Sequence, residues 1–241
     1  MGEPAIEARN LTVVYPYEKN GRVLVDLSFT VRQGERVALI GANGAGKSTL
    51  LLSMVGVLPV HDGAIKVCGV NVEKKNLGAV RKAAALVFQN PDDELFMPSV
   101  YEDIVFGPRN YAGKVGVDEA LLSARVDTLL TGLGIEKLKS RMSHKLSGGE
   151  KRMVSLASVL IMEPQILLLD EPSAFLDPRA RRRLITVLES LKQTLIIATH
   201  DLDLALKLCA RTLLLYNGAI SADGESAAIL SDEVLLERNG L

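Results

Sequence analysis

The chain has 241 residues, 48% of them hydrophobic and 4% aromatic, and a net charge of −1 at pH 7. This length fits one large α/β domain with an inserted subdomain, and the charge disfavours a protein that grips a nucleic-acid backbone. The acidic N-terminus and the lack of an apolar run of about 18 residues predict neither a secretory signal nor a membrane span.

The first third of the chain predicts short strands around a glycine loop. Strands are expected at residues 5–15, 24–31 and 36–40, because β-rich runs there are separated by turn-forming sequences. Residues 47–55 have helical spacing, and further strands are expected at 64–67 and 84–88.

The middle of the chain changes character. Residues 117–130 and 149–161 carry apolar side chains at helical spacing, so the stretch 90–162 is expected to be mostly helical. Asn-Pro, Met-Pro and Gly-Pro pairs interrupt this stretch. Buried parallel strands are expected at 165–169 and 194–198, with a helix over 178–191 between them. We therefore predict a nucleotide-binding α/β core over 1–89 and 163–223, a helical subdomain over 90–162, and a short helical tail over 224–241.

The sequence GANGAGKSTL, which begins at Gly41, matches the phosphate-binding loop G-x-x-x-x-G-K-S. Small residues let successive backbone N–H groups converge on phosphates, and the following helix adds positive potential. Lys47 is expected to reach the outer phosphates and Ser48 to ligate Mg²⁺. The residues predicted to bind the nucleotide here are Gly41, Asn43, Gly44, Ala45, Gly46, Lys47, Ser48 and Thr49.

Two acids end a buried apolar strand at Asp170 and Glu171. The carboxyl ends of parallel strands meet beside a phosphate loop in such folds. Asp170 is therefore predicted to hold Mg²⁺ through water, and Glu171 to polarise an attacking water. An acidic first helical turn is the structural alternative, because Pro172 follows.

Ser147, Gly148 and Gly149 open a predicted helix and form a second candidate anion site. One nucleotide has no evident use for two such sites on one chain, whereas two chains facing each other could share it. An ordinary helix N-cap would explain the serine but not the doubled glycine.

These three motifs, in this order, resemble those of the ATP-binding cassette ATPases over nearly the whole chain. The resemblance implies a P-loop NTPase core of RecA-like type with a mostly parallel sheet, an N-terminal antiparallel β-subdomain and an inserted α-helical subdomain. It further identifies Gln89 with the glutamine loop, Asp177 with the acid of the D-loop, His200 with the switch histidine and Tyr15 with the adenine-stacking aromatic. Tyr17 is a rival for the last role. Two departures are Glu150 in place of a commoner glutamine and an extra Phe175 in the D-loop.

The resemblance also implies the mechanism. ATP and Mg²⁺ hold two cassettes, expected to be a homodimer, head to tail. Lys47, Glu171, His200 and Gln89 are assigned to catalysis, and Ser48, Gln89 and Asp170 to the metal. Reopening after hydrolysis moves whatever is attached.

A finer resemblance, in residues 89–113, is to the ATPases of energy-coupling-factor importers, above all the cobalt and nickel group. It implies a peripheral subunit on the cytoplasmic face of the cell membrane, attached through a membrane coupling protein beside a substrate-binding membrane subunit. Asp92, Asp93 and Glu94 are hypothesised to receive arginines from that coupling protein; a solvated acidic turn is the structural alternative.

Four other functions remain open from the sequence. The importer could carry a vitamin or another solute, or the chain could be a P-loop small-molecule kinase, which would leave the Ser-Gly-Gly motif unexplained. A DNA-repair cassette would need long coiled coils, and no sustained heptad run is present. A non-hydrolysing switch would have no need of Glu171.

Overall fold

The computed structural model describes residues 3–15, 22–113 and 116–241. The strands are β1 (Ile6–Val14), β2 (Arg22–Val31), β3 (Arg36–Ile40), β4 (Asp62–Val67), β5 (Val70–Asn71), β6 (Ala84–Val87), β7 (Ile166–Asp170), β8 (Thr194–Ala198), β9 (Arg211–Tyr216) and β10 (Ala219–Glu225). The helices are α1 (Lys47–Met54), α2 (Leu77–Ala83), α3 (Val100–Tyr111), α4 (Glu119–Gly132), α5 (Gly148–Leu160), α6 (Pro178–Ser190), α7 (Leu202–Leu208), α8 (Ser226–Leu230) and α9 (Glu233–Arg238).

The strands form two sheets. The larger has the order β10-β9-β3-β8-β7-β6, in which β3 runs parallel to β8 and β9, and β7 runs parallel to β8. Strand β10 is added antiparallel, as a hairpin with β9. The smaller sheet, β2-β1-β4-β5, is antiparallel. The predicted fold class is therefore confirmed, including the N-terminal antiparallel sheet.

The main core combines apolar side chains from both sheets with those of α1. Every residue of β7 and β8 is buried, which is why both strands are continuous apolar runs in the sequence. Of the two free thiols, Cys209 is buried and Cys68 only half-buried. No helix within the described residues combines the length and apolar character needed to cross a bilayer.

The chain divides into two compact units. The first takes in the described parts of Met1–Leu86, together with Gln165–Pro172 and Lys192–Leu241. The second takes in the described parts of Val87–Pro164, together with Ser173–Leu191. In this grouping α6 and residues 87–89, which the predicted division assigned to the core, lie in the helical unit, and the C-terminal helices lie in the sheet unit.

Packing within the second unit explains the placement of α6. A Cβ on Gly149 of α5 would lie 2.7 Å from the Cβ of Ala180 on α6, so the two helices are in close contact. Arg183 of α6 also donates hydrogen bonds to the backbone carbonyls of Leu133 and Gly134, at 2.6 Å for the first. Helix α6 is thus part of the helical unit's own packing.

Helix α3 runs through the Gly107–Pro108 pair that was expected to interrupt the helical stretch. It is capped by the Ser99 hydroxyl, and its last turn closes with the Ala112 N–H donating to the Pro108 carbonyl at 3.1 Å. The carboxylate of Asp103 is buried on this helix. It accepts the N–H groups of Phe96 and Met97 and the hydroxyl of Ser143, and so organises the loops that flank α3.

Candidate functional site

The phosphate-binding loop joins β3 to α1 in the first unit. Gly46 has φ +105°, and a Cβ there would lie 2.6 Å from Cδ2 of Leu24, so both the backbone conformation and the space require glycine. The Lys47 side chain is buried, and Nζ donates to the carbonyls of Gly41 at 2.7 Å and Ala42 at 3.2 Å. The lysine therefore folds back over the loop that it is predicted to serve.

Two carboxylates accompany this lysine. Burial lowers the pKa of Lys47, and the negative charges of Glu171 and Asp170 partly oppose that effect. The distance from Lys47 Nζ to Glu171 Oε1 is 3.9 Å. A buried ammonium beside two acids, at a loop of converging N–H groups, is suited to a strongly anionic ligand that carries its own counter-cation.

Glu171 is held from several sides. Its backbone has φ +43°, and its N–H donates to the Ala198 carbonyl at 2.8 Å, which fixes the turn after β7. Oε2 accepts the Thr199 hydroxyl at 3.0 Å and the His200 N–H at 3.3 Å. Oε1 lies 2.9 Å from His200 Nδ1. The carboxylate is thus oriented by the end of β8, while the imidazole is 64% exposed and reachable by a ligand.

Asp170 and Ser48 supply oxygen donors to the same unit. Asp170 is the last residue of β7 and is buried, and Ser48 is exposed on the first turn of α1. Among the described residues, no group of three or more His, Cys, Asp or Glu side chains forms a protein-only metal cage. One carboxylate, one hydroxyl and ligand phosphates form the kind of donor set that Mg²⁺ takes, so the residues fit that ion.

The remaining predicted residues of the first unit lie around the loop. Asn43 and Gly44 are exposed, whereas Ala45 and Thr49 are buried. The Tyr15 hydroxyl is 3.4 Å from the Thr49 hydroxyl, which places this half-buried tyrosine beside α1. Tyr17, its rival for base stacking, lies outside the described residues.

Ser147 in the second unit is the N-cap of α5 and belongs to a capping box. The Glu150 N–H donates to the Ser147 hydroxyl oxygen at 3.4 Å, and the Ser147 N–H donates to Glu150 Oε2 at 2.8 Å. That backbone hydrogen bond is the main cause of a lowered pKa at Glu150, and Arg141 pairs with the carboxylate at 3.0 Å. The glutamate that departs from the family pattern therefore serves the cap, as glutamine could.

The two glycines of the Ser-Gly-Gly motif differ in their surroundings. Capping does not account for Gly149, but packing does, because a Cβ there would lie 2.7 Å from the Cβ of Ala180, as described above. A Cβ on Gly148, in contrast, would meet nothing within 4 Å, and the residue is exposed. No contact with a described residue accounts for Gly148, which leaves an open helix start for a ligand or a partner.

Two other predicted residues of the second unit have structural partners. Asp177 Oδ1 accepts the N–H groups of Arg179 and Ala180 at 2.8 and 2.9 Å, which caps α6 and lowers the pKa of the carboxyl. Gln89 is exposed, and its backbone carbonyl accepts a hydrogen bond from Arg152. Sequence analysis predicted no capping role for Asp177, although Asp followed by Pro is a common helix start.

The first unit therefore brings together Lys47, Asp170, Glu171 and His200, whereas Gln89, Ser147–Gly149 and Asp177 belong to the second unit. Sequence analysis missed Thr199, whose hydroxyl orients Glu171. It could have been noticed, because it is a polar residue at the end of an otherwise apolar strand.

Comparisons with known proteins identify the family to which the chain is similar. A sequence profile of the family described as ABC transporter matches residues 24–174. An ABC transporter ATP-binding protein of Streptomyces coelicolor is 48% identical over 229 residues, covering 95% of this chain and 86% of the relative. The cobalt import ATP-binding protein CbiO of Rhodobacter capsulatus is 42% identical, covering 99% of this chain and 85% of the relative. Among solved structures, CbiO1 of Clostridium perfringens, part of the ABC transporter complex CbiONQ, is similar with a TM-score of 0.83 and 32% identity, covering 98% of this chain and 94% of that one.

Proposed function

The chain belongs to the ABC transporter family and is an ATPase, and from that premise we propose that it drives a membrane importer for a transition-metal ion, cobalt or nickel. The name of the R. capsulatus relative and the membrane complex of the C. perfringens neighbour support this proposal. So does the sequence similarity to metal importers in residues 89–113. ATP hydrolysis is the fuel, and the solute is carried by membrane partners.

The geometry around Glu171 carries the hydrolytic part of the proposal. Glu171 is held by Thr199 and His200 and lies next to the buried Lys47, which supports a role in which it would orient a water and accept its proton. His200 would contact the γ-phosphate through its exposed imidazole. Mg²⁺, when bound, supplies positive charge to the phosphate oxygens, and Ser48, Asp170 and Gln89 are the residues that would hold it.

We further propose that two copies of the chain share each nucleotide. Lys47 of one copy and the Ser147–Gly149 helix start of the other would contact the same triphosphate. The open space at Gly148 supports this arrangement, because a bare helix N-terminus can approach phosphate oxygens closely.

Mixed dimers test the shared site. A Lys47→Ala chain and a Gly148→Asp chain should each be inactive alone. Mixed in equal amounts, they should form dimers in which one site carries both lesions and the other carries none. About a quarter of the wild-type rate per chain is expected, from half of the dimers with one working site each, provided that one site can turn over alone.

A failure of complementation, despite proven mixed dimers, would place Lys47 and Gly148 in the same site on one chain. Active monomers at high dilution would contradict the proposal as well. Mixing two Lys47→Ala preparations is the control, and it should stay inactive.

The acidic segment after Gln89 needs a narrower role than the sequence suggested. Glu94 accepts hydrogen bonds from the Phe88 N–H and the Ser155 hydroxyl, so both its oxygens are engaged within the unit. Asp92 pairs with Lys151 at 2.5 Å, and Asp93 is exposed with only a 3.3 Å bond from the Asn90 amide. Asp93 is therefore the acid that we propose for contact with a basic residue of the membrane partner.

Charge reversal at Asp93 tests the membrane contact. Asp93→Arg should weaken co-purification with the membrane coupling protein while nucleotide binding stays unchanged. Charge reversal at the exposed Glu237 is the control, and it should leave both co-purification and nucleotide binding unchanged. Uptake of radioactive cobalt and nickel by cells with the complete transporter then tests the solute. Uptake of neither metal, with ATPase activity retained, would favour a vitamin or another solute.

A further inference from the structure

Arg152 is a buried arginine on helix α5, and its guanidinium donates hydrogen bonds to the backbone of another segment. The residue is 2% exposed, and its Nη1 and Nη2 donate to the carbonyls of Phe88 and Gln89 at 2.6 and 2.5 Å. Burying a guanidinium is costly unless its donors are satisfied, and a leucine would fill the same space without that cost. We therefore infer that an arginine is needed at this position because it bonds to the backbone at Gln89.

Helix α5 also holds this segment at other points. Glu94 bridges the Phe88 N–H and the hydroxyl of Ser155, a fully buried residue of α5. Lys151, next to Arg152, pairs with Asp92. Residues 88–94, which we call the Gln89 segment, are thus attached to α5 at both ends.

The Glu94 carboxyl lies in a largely enclosed hydrogen-bond network with charged neighbours. Burial raises the pKa of its carboxyl most, and Asp93 adds to that effect, whereas the Ser155 and Phe88 donors and the charge of Arg152 oppose it. A buried carboxyl of this kind remains in place because its donors lie in fixed positions. The contacts between α5 and the Gln89 segment are therefore specific in geometry and not merely apolar packing.

The same helix begins at the Ser-Gly-Gly motif. Ser147 is its N-cap, and Arg152 lies five residues further on, about 7.5 Å along the axis. A helix of 13 residues with a capping box is stiff over this distance. A displacement of Ser147 would therefore reach the Gln89 segment through Lys151, Arg152 and Ser155. Of these three, Arg152 is the residue that bonds to the Gln89 carbonyl itself.

We propose that Arg152 is a positioning residue that couples the two nucleotide sites of the dimer. This rests on the proposed function, in which Ser147 faces the partner's nucleotide while Gln89 of the same chain serves its own. Docking of α5 on one nucleotide moves the Gln89 segment, and so sets the position of the Gln89 side chain at the other nucleotide.

Steady-state ATPase kinetics of Arg152→Met test the coupling. The variant keeps the length and burial of the side chain but loses both carbonyl bonds. We expect the Hill coefficient for ATP to fall from above 1 to about 1 and kcat to fall about tenfold. The affinity for a fluorescent ATP analogue, measured on the monomer, should stay within about twofold of wild type, because no nucleotide contact is removed. Arg152→Lys keeps the positive charge and one donor nitrogen, so it should recover part of kcat.

Arg183→Met is the matched control, because it also removes bonds from an arginine to two backbone carbonyls of the helical unit. It should leave the Hill coefficient unchanged. A wild-type Hill coefficient in Arg152→Met overturns the proposal, and so does a loss of cooperativity in the control. If thermal melting shows that Arg152→Met does not fold, Arg152→Lys decides, and full cooperativity there overturns the proposal.

The mixed-dimer experiment separates this inference from the proposed function. If the mixed dimers fail to complement, the proposal of a shared nucleotide site is wrong, and the proposed coupling through Arg152 is wrong as well. Successful complementation with unchanged cooperativity in Arg152→Met removes the coupling alone.

Discussion

Replacing Thr199 by valine isolates the orientation of Glu171. The Thr199 side chain is fully buried, and valine has nearly its shape, but the hydroxyl that donates to Glu171 Oε2 at 3.0 Å is lost. A hydrogen bond to a charged group is worth about 1.5–3 kcal/mol. If that energy holds the carboxylate in its reactive position, kcat should fall by about 10- to 100-fold, at 1.4 kcal/mol for each factor of ten.

The same substitution should leave nucleotide affinity unchanged, since the hydrogen bonds of Thr199 within the described residues go to Leu39, Glu171 and Asp201 and not to the phosphate loop or Tyr15. Part of the cost falls on stability, because the hydroxyl oxygen also accepts the Asp201 N–H at 3.0 Å. Phosphate release measured across ATP concentrations separates kcat from KM, and urea unfolding measures the stability change.

Thr212→Val supplies the control for that experiment. Thr212 is also fully buried, and among the described residues its hydroxyl bonds to the Ser226 hydroxyl alone, at 2.8 Å. It should lose about 1 kcal/mol of stability with an unchanged kcat. A Thr199→Val enzyme with the wild-type kcat would refute the idea that this hydroxyl positions the carboxylate, and an equal loss of kcat in both variants would attribute the effect to stability.

Three further predictions concern packing and titration. Burial raises the pKa of Glu94 above its ordinary 4.5, so folding favours its protonated form, and this contribution is lost as pH rises through the raised pKa. Glu94→Gln should therefore gain stability relative to wild type from pH 4.5 upward in urea titrations; a constant difference would contradict the burial effect. Gly149→Ala should lower the free energy of unfolding by about 1–3 kcal/mol, because its Cβ would clash with α6. Gly148→Ala should unfold like wild type but hydrolyse ATP poorly. Equal urea unfolding midpoints for the two variants would rule out the clash. The Cys209 thiol, whose pKa burial raises to about 12, should resist alkylation at pH 8 until the protein is unfolded, which mass spectrometry after iodoacetamide can measure. Rapid labelling of the folded protein would contradict its burial.

The phosphate loop and the central strands could be predicted because their chemistry is local. Residues 36–40 and 194–198 were predicted with the bounds that β3 and β8 have, since parallel strands buried on both faces are unbroken apolar runs. Helix α1 was predicted to within one residue, because its start is fixed by the glycines and Lys47.

The supporting side chains could not be predicted because their partners are distant in sequence. Arg152 and Phe88 are 64 residues apart, Glu94 and Ser155 are 61 apart, and Asp103 meets Ser143 across 40. Hydrophobic periodicity reports which face of a helix is buried, but not which carbonyl will meet a buried arginine. No strand was predicted for β9 or β10.

The helical unit is assembled from two stretches of chain, because strand β7 is inserted between α5 and α6. During synthesis on the ribosome, α5 therefore emerges before the alanine that its second glycine packs against, and the polypeptide must first continue through a strand of the other unit. Neither unit can be completed before the other has been started. A protease cut between residues 164 and 173 would break the covalent connection within both units at once. A gene fragment that ends before α6 would encode α5 without the helix that packs against its Gly149.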